Sequence, residues 1–410
     1  MGEKNKLSIA LVSSYAFASE PGGVNDFILG LKEALQRNGC KVVVIAPGPK
    51  DLLTDDQVDY ILGSSVKITT DQTVFRASLS RKGTAKKILE IVKPDIIVIH
   101  EPFVPSIGHT IISSVIRIKD RALRPIVVGQ FHARREAFNW QFKAVEFVAR
   151  HLVRRPKLDG RSLLGLSSGF VTTINSHLDG RIAISNATKD FWRKKLPSDY
   201  EVIYNGIDTN KLSVNGPKIE DWMKDGKRTI LFAGRHDPRK GIDDLINAFK
   251  LLVSDRHDDL KLKITGEGET TAALQKLVAK LGLQKLVEFV GFLPYEKLIE
   301  AYRAADLVVA PSRDGEGFNR TIIEARSCGA LVVCTDIKGQ DEAIGQDLFP
   351  FMAKPKNPSS LSKQIMEVLN LSEAKKQEIR KQSRKDVESS FSWDKIAKEH
   401  LEYYRSLLEN

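Results

Sequence analysis

Asp306-Leu307-Val308-Val309-Ala310-Pro311, running on to Glu316-Gly317-Phe318-Asn319-Arg320-Thr321-Ile322-Ile323-Glu324-Ala325-Arg326, is the stretch that decides the fold. Its first part is a continuous apolar run of strand type and its last part has helical character, so the loop between them joins a strand to a helix. Gly315 and Gly317 let that loop's backbone come close to a ligand. The helix start turns unbonded N–H groups toward the same space. Glu316 falls on the loop and Glu324 on the helix, an arrangement suited to a molecule with hydroxyls at one end and a ribose or phosphate at the other.

The same strand-loop-helix unit recurs along the chain. In the second half, strand-type runs at 228–234, 260–265, 287–290, 306–310 and 331–334 are each followed by a helix-type segment. The first half has strand-type runs at 7–13, 41–46, 95–100, 125–130 and 181–185, with helical stretches near 23–39, 83–93, 106–120 and 137–155. Such alternation predicts an α/β protein with parallel, doubly wound sheets covered by helices on both faces. At 410 residues the chain exceeds what one hydrophobic core serves, so two domains are expected. Glu201-Val202-Ile203-Tyr204-Asn205-Gly206-Ile207-Asp208 and the polar stretch through Asn215-Gly216-Pro217 read as a strand, a turn and a linker. The expected division is 1–207, 208–388 and a terminal segment 389–410, in which Ile396, Leu401, Tyr404, Leu407 and Leu408 have helical spacing and Ser392 serves as N-cap. Two doubly wound domains facing each other would form a cleft at the carboxyl ends of their strands.

Composition narrows the classes. Hydrophobic residues make up 42%, enough for ordinary cores. No run of about 18 apolar residues appears, and the opening Met1-Gly2-Glu3-Lys4-Asn5-Lys6 lacks a signal-peptide pattern, so a cytoplasmic protein able to touch a membrane from that side is expected. Cys40, Cys328 and Cys334 show neither disulfide nor zinc-ligand spacing and read as buried thiols. The formal charge of +11 fits nucleic acid, anionic lipid or nucleotide, and charge alone does not choose among them. Aromatics interleaved with basic residues, the usual platform for single strands, are scarce.

Gly234-Arg235-His236-Asp237-Pro238-Arg239-Lys240-Gly241 directly follows a strand and precedes a helix beginning at Ile242. Arg235, Arg239 and Lys240 would then converge near that helix's N-terminus, as a diphosphate cradle or as a solvated basic turn. Gly22-Gly23-Val24 and Gly266-Glu267-Gly268 are further glycine turns between strand and helix. The latter lacks the third glycine of a dinucleotide fingerprint, and neither a P-loop nor a G-x-S-x-G elbow is present. No D-x-D marks a cation site.

Taken together, several stretches resemble the retaining glycosyltransferases of the GT-B fold. They are Tyr15 with Pro21-Gly22-Gly23-Val24, His100-Glu101-Pro102-Phe103-Val104-Pro105-Ser106, Phe131-His132-Ala133, Ile184-Ser185-Asn186-Ala187, Asn205-Gly206-Ile207-Asp208, Gly234 to Gly241 and Glu316 to Glu324. The family is the large group 1 of glycogen, sucrose and mannosyl transferases, and the pattern is similar to that of the phosphatidylinositol mannosyltransferases within it. The resemblance covers nearly the whole chain. It implies a GT-B architecture whose last helix crosses back to the first domain, with Trp393 packed beneath that helix.

It also implies roles. Arg235 and Lys240 match the basic pair that holds the donor diphosphate and neutralises the departing group. Glu324 matches the acid that binds the donor ribose hydroxyls. Glu316 matches the acid facing the donor sugar, with backbone N–H groups of Gly317, Phe318 and Asn319 addressing its hydroxyls. Gly22 and Gly23 match the loop that admits phosphate and acceptor, and Tyr15 lies on the acceptor side with them. His132 matches the histidine that hydrogen-bonds the reacting sugar; outside the resemblance it reads as a structural histidine. His132, Glu316, Arg235 and Lys240 form the implied catalytic set. One departure touches sugar preference, because Asn319 stands where the family usually has glycine.

The family needs no metal and no cofactor beyond its nucleotide-sugar donor, here implied to be GDP-mannose, with an inositol phospholipid as acceptor. The segment after His132, through Phe138, Phe142, Lys143, Val145, Arg150 and Arg154, has an apolar stripe and a basic face. It suits an anionic membrane surface or an ordinary amphipathic core helix. Arg76, Arg81, Lys82, Lys86 and Lys87 form a second basic cluster. The expectation is a peripheral enzyme at the inner face of the cell membrane, monomeric or weakly dimeric, with no nucleic-acid partner. The alternatives are a soluble transferase using UDP- or ADP-glucose and an inactive GT-B scaffold that only binds.

Overall fold

The computed structural model describes residues 6–17, 23–48, 57–69, 74–79, 82–104, 106–120, 123–133, 171–254, 259–346 and 348–409. The chain divides into two compact units, Met1–Gly206 with Trp393–Asn410, and Ile207–Ser392. Gly22, Pro21, Pro105, Arg81, the expected helix 137–155 and the basic positions Lys143, Arg150 and Arg154 lie outside the described residues.

In the first unit the strands are β1 (Ser8–Ser13), β2 (Lys41–Ala46), β3 (Tyr60–Ile61), β4 (Ser64–Thr69), β5 (Val74–Leu79), β6 (Ile96–His100), β7 (Ile126–Phe131), β8 (Gly180–Ala183) and β9 (Glu201–Val202). Seven of them form one sheet in the order β3-β2-β1-β6-β7-β8-β9, parallel throughout. β1, β2 and β6 read as unbroken apolar runs because both faces of the sheet are covered. Ala10, Val12, Ile97 and Ile99 pack on the side of helices Lys82–Val92 and Ile107–Val115, whereas Ile9, Leu11, Ile96 and Val98 pack toward Gly23–Arg37 and Trp393–Glu409. The last helix thus completes the core of the first unit, as the family resemblance implies.

β4 and β5 form an antiparallel hairpin of their own, an element the alternation pattern does not predict. The expected strand at 201–208 is also shorter: pairing stops at Val202, and Ile207 bridges to Ser392 instead.

The second unit holds β10 (Arg228–Ala233), β11 (Leu260–Thr265), β12 (Val287–Gly291), β13 (Leu307–Ala310) and β14 (Leu331–Cys334). They form a parallel sheet in the order β12-β11-β10-β13-β14. Its connecting stretch is fastened rather than loose. Arg384 donates to the carbonyls of Thr209 (2.6 Å) and Leu212, and Arg303 donates to those of Ser213 (2.7 Å) and Lys211 (3.0 Å). A strap held by guanidinium groups keeps its backbone acceptors satisfied without belonging to either sheet.

Candidate active site

β10 and β13 are neighbours and parallel, so the loops that follow them leave from the same edge of the second sheet. This topology brings Gly234–Gly241 beside the loop 311–319. Asp237 accepts from the Arg239 backbone N–H at 2.8 Å and starts the short turn Pro238–Lys240. Gly241 follows with φ of 62°, and a Cβ there would overlap the Pro311 carbonyl, so the two loops touch through a glycine. Lys240 is thereby aimed across the junction. Its Nζ lies 2.6 Å from Glu316 Oε1, which also accepts from the Ser312 hydroxyl at 2.7 Å. Burial pushes the Glu316 carboxyl up, but the Lys240 ammonium and the Ser312 hydroxyl outweigh it and hold the group below the usual carboxylate range.

Of the three cations expected to converge, Lys240 reaches Glu316 directly and Arg239 adds its charge there. The Arg239 guanidinium folds back onto Asp237 at 2.8 Å, while Arg235 is exposed. Nor does the helix Ile242–Ser254 offer a bare positive end. Its first turn carries Asp243 and Asp244, both bridged by Arg313 at 2.7 and 2.6 Å. Positive charge for a ligand therefore comes from side chains, Lys240 above all, which has three N–H donors and gives one to Glu316.

Glu324 sits one turn into helix Arg320–Ser327 with its side chain 7% exposed. Arg320 donates to its Oε1 at 3.0 Å and the Tyr302 hydroxyl to its Oε2 at 3.3 Å. Both oxygens are oriented before any ligand arrives. That helix has no acidic residue in its first turn, and Asn319 starts it without a side-chain cap. Its positive end thus stays turned to the Glu316 loop.

The loop's own N–H groups need one correction. Asn319 N–H donates to the Gly339 carbonyl at 3.3 Å, and its side chain is buried, so this position builds the loop rather than presenting an N–H to a sugar. Gly339, with φ of 91°, presses on the Gly317 carbonyl and leaves no room for a side chain. Phe318 is buried against Phe391 at 5.5 Å between ring centres and anchors the loop. Gly266 and Gly268 likewise serve packing. A Cβ at either would overlap the carbonyl of Gly234 or of His236, so the loop after β11 packs directly against the basic loop. His236 is fully buried there, bonded to Thr271 at 2.8 Å.

In the first unit, β1, β6 and β7 are adjacent, and their carboxyl ends gather Tyr15, His100, Glu101 and His132. Glu101 has a positive φ of 56°, and its Oε1 accepts the backbone N–H groups of His132 and Ala133, both at 2.7 Å. This left-handed residue fixes the turn that carries His132. His132 Nε2 lies 3.0 Å from His100 Nδ1, and Phe27 packs edge-on to His132 at 5.0 Å between ring centres. Burial, with His400 adding to it, lowers His132 to about 3. A histidine so placed stays neutral near pH 7 and can hydrogen-bond but serves poorly as a base. Burial likewise pushes the Tyr15 hydroxyl up, with Glu101 adding to it. Gly23 opens helix Gly23–Arg37 with no described atom within 4 Å of where its Cβ would be, so the backbone there is approachable.

Other supporting residues carried no independent signal. Ser312, Tyr302 and Gly339 hold the acidic loop and its helix from distant sequence positions, and the four-residue spacing of Arg320 and Glu324 is the local signal that could have found a partner. Ser106 caps helix Ile107–Val115 and donates to Ser14 at 2.9 Å, while Ser185 caps Asn186–Lys195, so two of the matched motifs are helix starts.

Two parallel α/β units, a returning terminal helix and a lysine-glutamate pair at a strand edge define a glycosyltransferase of the GT-B class. Residues 21–211 match the model of Glycosyltransferase Family 4, and residues 218–386 match that of Glycosyl transferases group 1. The chain belongs to the group 1 glycosyltransferases. It is similar to an uncharacterized glycosyltransferase of Methanocaldococcus jannaschii, 28% identical with 95% of each chain covered. It is also similar to the phosphatidyl-myo-inositol mannosyltransferase of Mycolicibacterium smegmatis, 27% identical over 81% of this chain and 76% of that one. Among solved structures, a Rickettsia africae glycosyltransferase superposes with a TM-score of 0.72 at 18% identity, covering 99% of this chain and 100% of that one. Anabaena HepE in complex with UDP gives 0.69 at 19% identity, covering 98% and 100%.

Proposed function

We propose that the protein transfers a hexose, mannose from GDP-mannose, to the inositol headgroup of a phosphatidylinositol-type lipid, keeping the anomeric configuration and using no metal. The observation that carries the reading is the Lys240–Glu316 pair at 2.6 Å, a cation and a hydroxyl-binding acid held at one strand edge. Lys240 and Arg235 bind the diphosphate, Glu324 binds the ribose and Glu316 binds the sugar, and the family resemblance assigns His132 a hydrogen bond to the reacting sugar. In the reaction the bond from the anomeric carbon to the phosphate oxygen breaks, with its electron pair leaving on the diphosphate. A bond to the acceptor hydroxyl oxygen forms, and that hydroxyl's proton goes to the leaving group. Lysine and arginine stabilise the charge that develops on the departing diphosphate, the task a metal ion performs elsewhere.

The likeness to phosphatidyl-myo-inositol mannosyltransferases supports the donor and acceptor. No helix among the described residues is long and apolar enough to cross a membrane, so contact with lipid would be peripheral, through the basic surface. The test is turnover of GDP-mannose, UDP-glucose, UDP-N-acetylglucosamine and ADP-glucose, each with phosphatidylinositol vesicles and with soluble sugars, with and without a chelator. Product from GDP-mannose on vesicles, unaffected by the chelator, is expected. Turnover with a uridine donor on a soluble sugar alone would instead establish the second reading, a soluble transferase, which the UDP and UDP-glucose complexes of Anabaena HepE favour.

A further inference from the structure

The opposite edge of the second sheet carries a second charged site. A cleft of about 710 Å³ opens where β10 and β13 begin, at Arg228 and Asp306. The glycine loops leave the other ends of these strands, and at about 3.3 Å per residue β10 alone separates the two edges by roughly 20 Å. The cleft is therefore distinct from the donor loops.

Its lining is cationic: Lys218, Lys227, Arg303, Arg380, Lys381 and Arg384 all face it, against one acid, Asp306. Asp306 is already engaged, accepting the Thr229 backbone N–H at 2.7 Å, and two of the cations are paired, Arg384 with Glu388 and a seventh, Arg228, with Asp259, each at 2.6 Å. Arg303 and Arg380 spend their described hydrogen bonds on backbone carbonyls, those of Ser213 at 2.7 Å and Gly329 at 3.1 Å among them. Carbonyls satisfy the donors without cancelling the charge. Among the described residues Lys218, Lys227 and Lys381 form no side-chain hydrogen bond or ion pair. A concave surface with low-dielectric walls focuses such a field.

We propose that this cleft is a binding site for a phosphate-bearing ligand. Its volume falls in the range of small-molecule sites. Arg303 and Arg384 are ordered in advance by the strap they hold, so binding loses little side-chain freedom. Val214 and Met223, 47% and 44% exposed, give it an apolar rim for the remainder of the ligand. The phosphate can belong to a soluble molecule or to a lipid headgroup.

The test uses the full chain and two probes, sodium pyrophosphate by calorimetry and vesicles of phosphatidic acid in phosphatidylcholine by co-sedimentation. Lys218 and Lys381 are exposed, so Lys218→Gln with Lys381→Gln leaves the fold intact. Wild type should bind pyrophosphate at two sites. The double variant should weaken one of them by about tenfold or more, the worth of a charge-assisted hydrogen bond. Lys240→Ala should weaken only the other. Vesicle binding lost in the cleft variant with pyrophosphate unaffected supports the site and assigns its phosphate to lipid. The control Lys280→Gln with Lys285→Gln removes the same charge from exposed positions elsewhere and should change neither probe. The proposal is overturned if the control weakens binding as much as the cleft variant, or if the cleft variant alters neither probe. Should Lys240→Ala have no effect while the cleft variant does, the donor assignment fails and the cleft stands.

Discussion

Lys240 Nζ and Glu316 Oε1 lie 2.6 Å apart although 76 residues separate them in sequence, because adjacent parallel strands deliver their loops to one edge. The lysine and the acid therefore act as a unit. Lys240→Ala and Glu316→Gln should each lower kcat by about 10²-fold or more, the usual loss when a contact to a developing charge is removed. The double variant should lose far less than the product of the two. A double-mutant cycle on kcat/KM that came out additive would show that the pair is not coupled in the transition state.

Glu324 is aimed by Tyr302 and Arg320, and its proposed partners are the donor's ribose hydroxyls. Glu324→Ala should raise the donor KM by about 10-fold or more, since hydrogen bonds to a charged group are worth roughly 1.5–3 kcal/mol. The sharper readout is discrimination between a ribose donor and its deoxyribose analogue. Wild type should prefer the ribose form strongly, and the variant should treat the two alike. Equal discrimination by both proteins would assign the ribose to another residue.

What the sequence made legible follows from local physics. Both sheets announce themselves because strands buried on two faces must be apolar throughout, as in Val42-Val43-Val44-Ile45. The placement of Glu316 on a loop, Glu324 on a helix and Lys240 just before a helix was legible from pattern and spacing. The hairpin β4–β5 was not, since it stands outside the alternation of strand and helix. Gly339 and Ser312 were equally hidden, because their partners are set by strand order, and no local pattern reports that order. The pairing of Arg239 with Asp237, two residues away, was hidden too, because it depends on the short turn Pro238–Lys240.

Glu101 gives a pH prediction with a definite sign. Burial raises its carboxyl from 4.5 to about 7, against the lowering effect of the His132 and Ala133 backbone N–H groups. The folded state thus holds a proton that the unfolded state releases. The contribution is fully present below pH 4.5 and is lost as pH rises through about 7. In Glu101→Gln the amide oxygen can accept the same two N–H groups without ionising. Relative to wild type, the variant should gain stability between pH 4 and 8 by an amount on the order of 3 kcal/mol. Chemical denaturation of both proteins across that range checks it, and a flat difference would mean that the Glu101 proton does not respond to folding.

The last prediction reverses a common rule. Alanine in place of glycine inside a helix normally gains roughly 0.5–1 kcal/mol. Gly30 lies within Gly23–Arg37, yet a Cβ there would overlap the Trp393 indole, which also lies against Gly206 and packs on Phe27 at 5.3 Å between ring centres. Gly30→Ala should therefore destabilise the protein, by about 1–3 kcal/mol as overpacking does. In a Trp393→Ala background the clash is gone, and the same substitution should become neutral or stabilising. Denaturant melts of the four proteins decide it. If Gly30→Ala stabilises the wild-type chain, the terminal helix does not seat its tryptophan where the structure puts it.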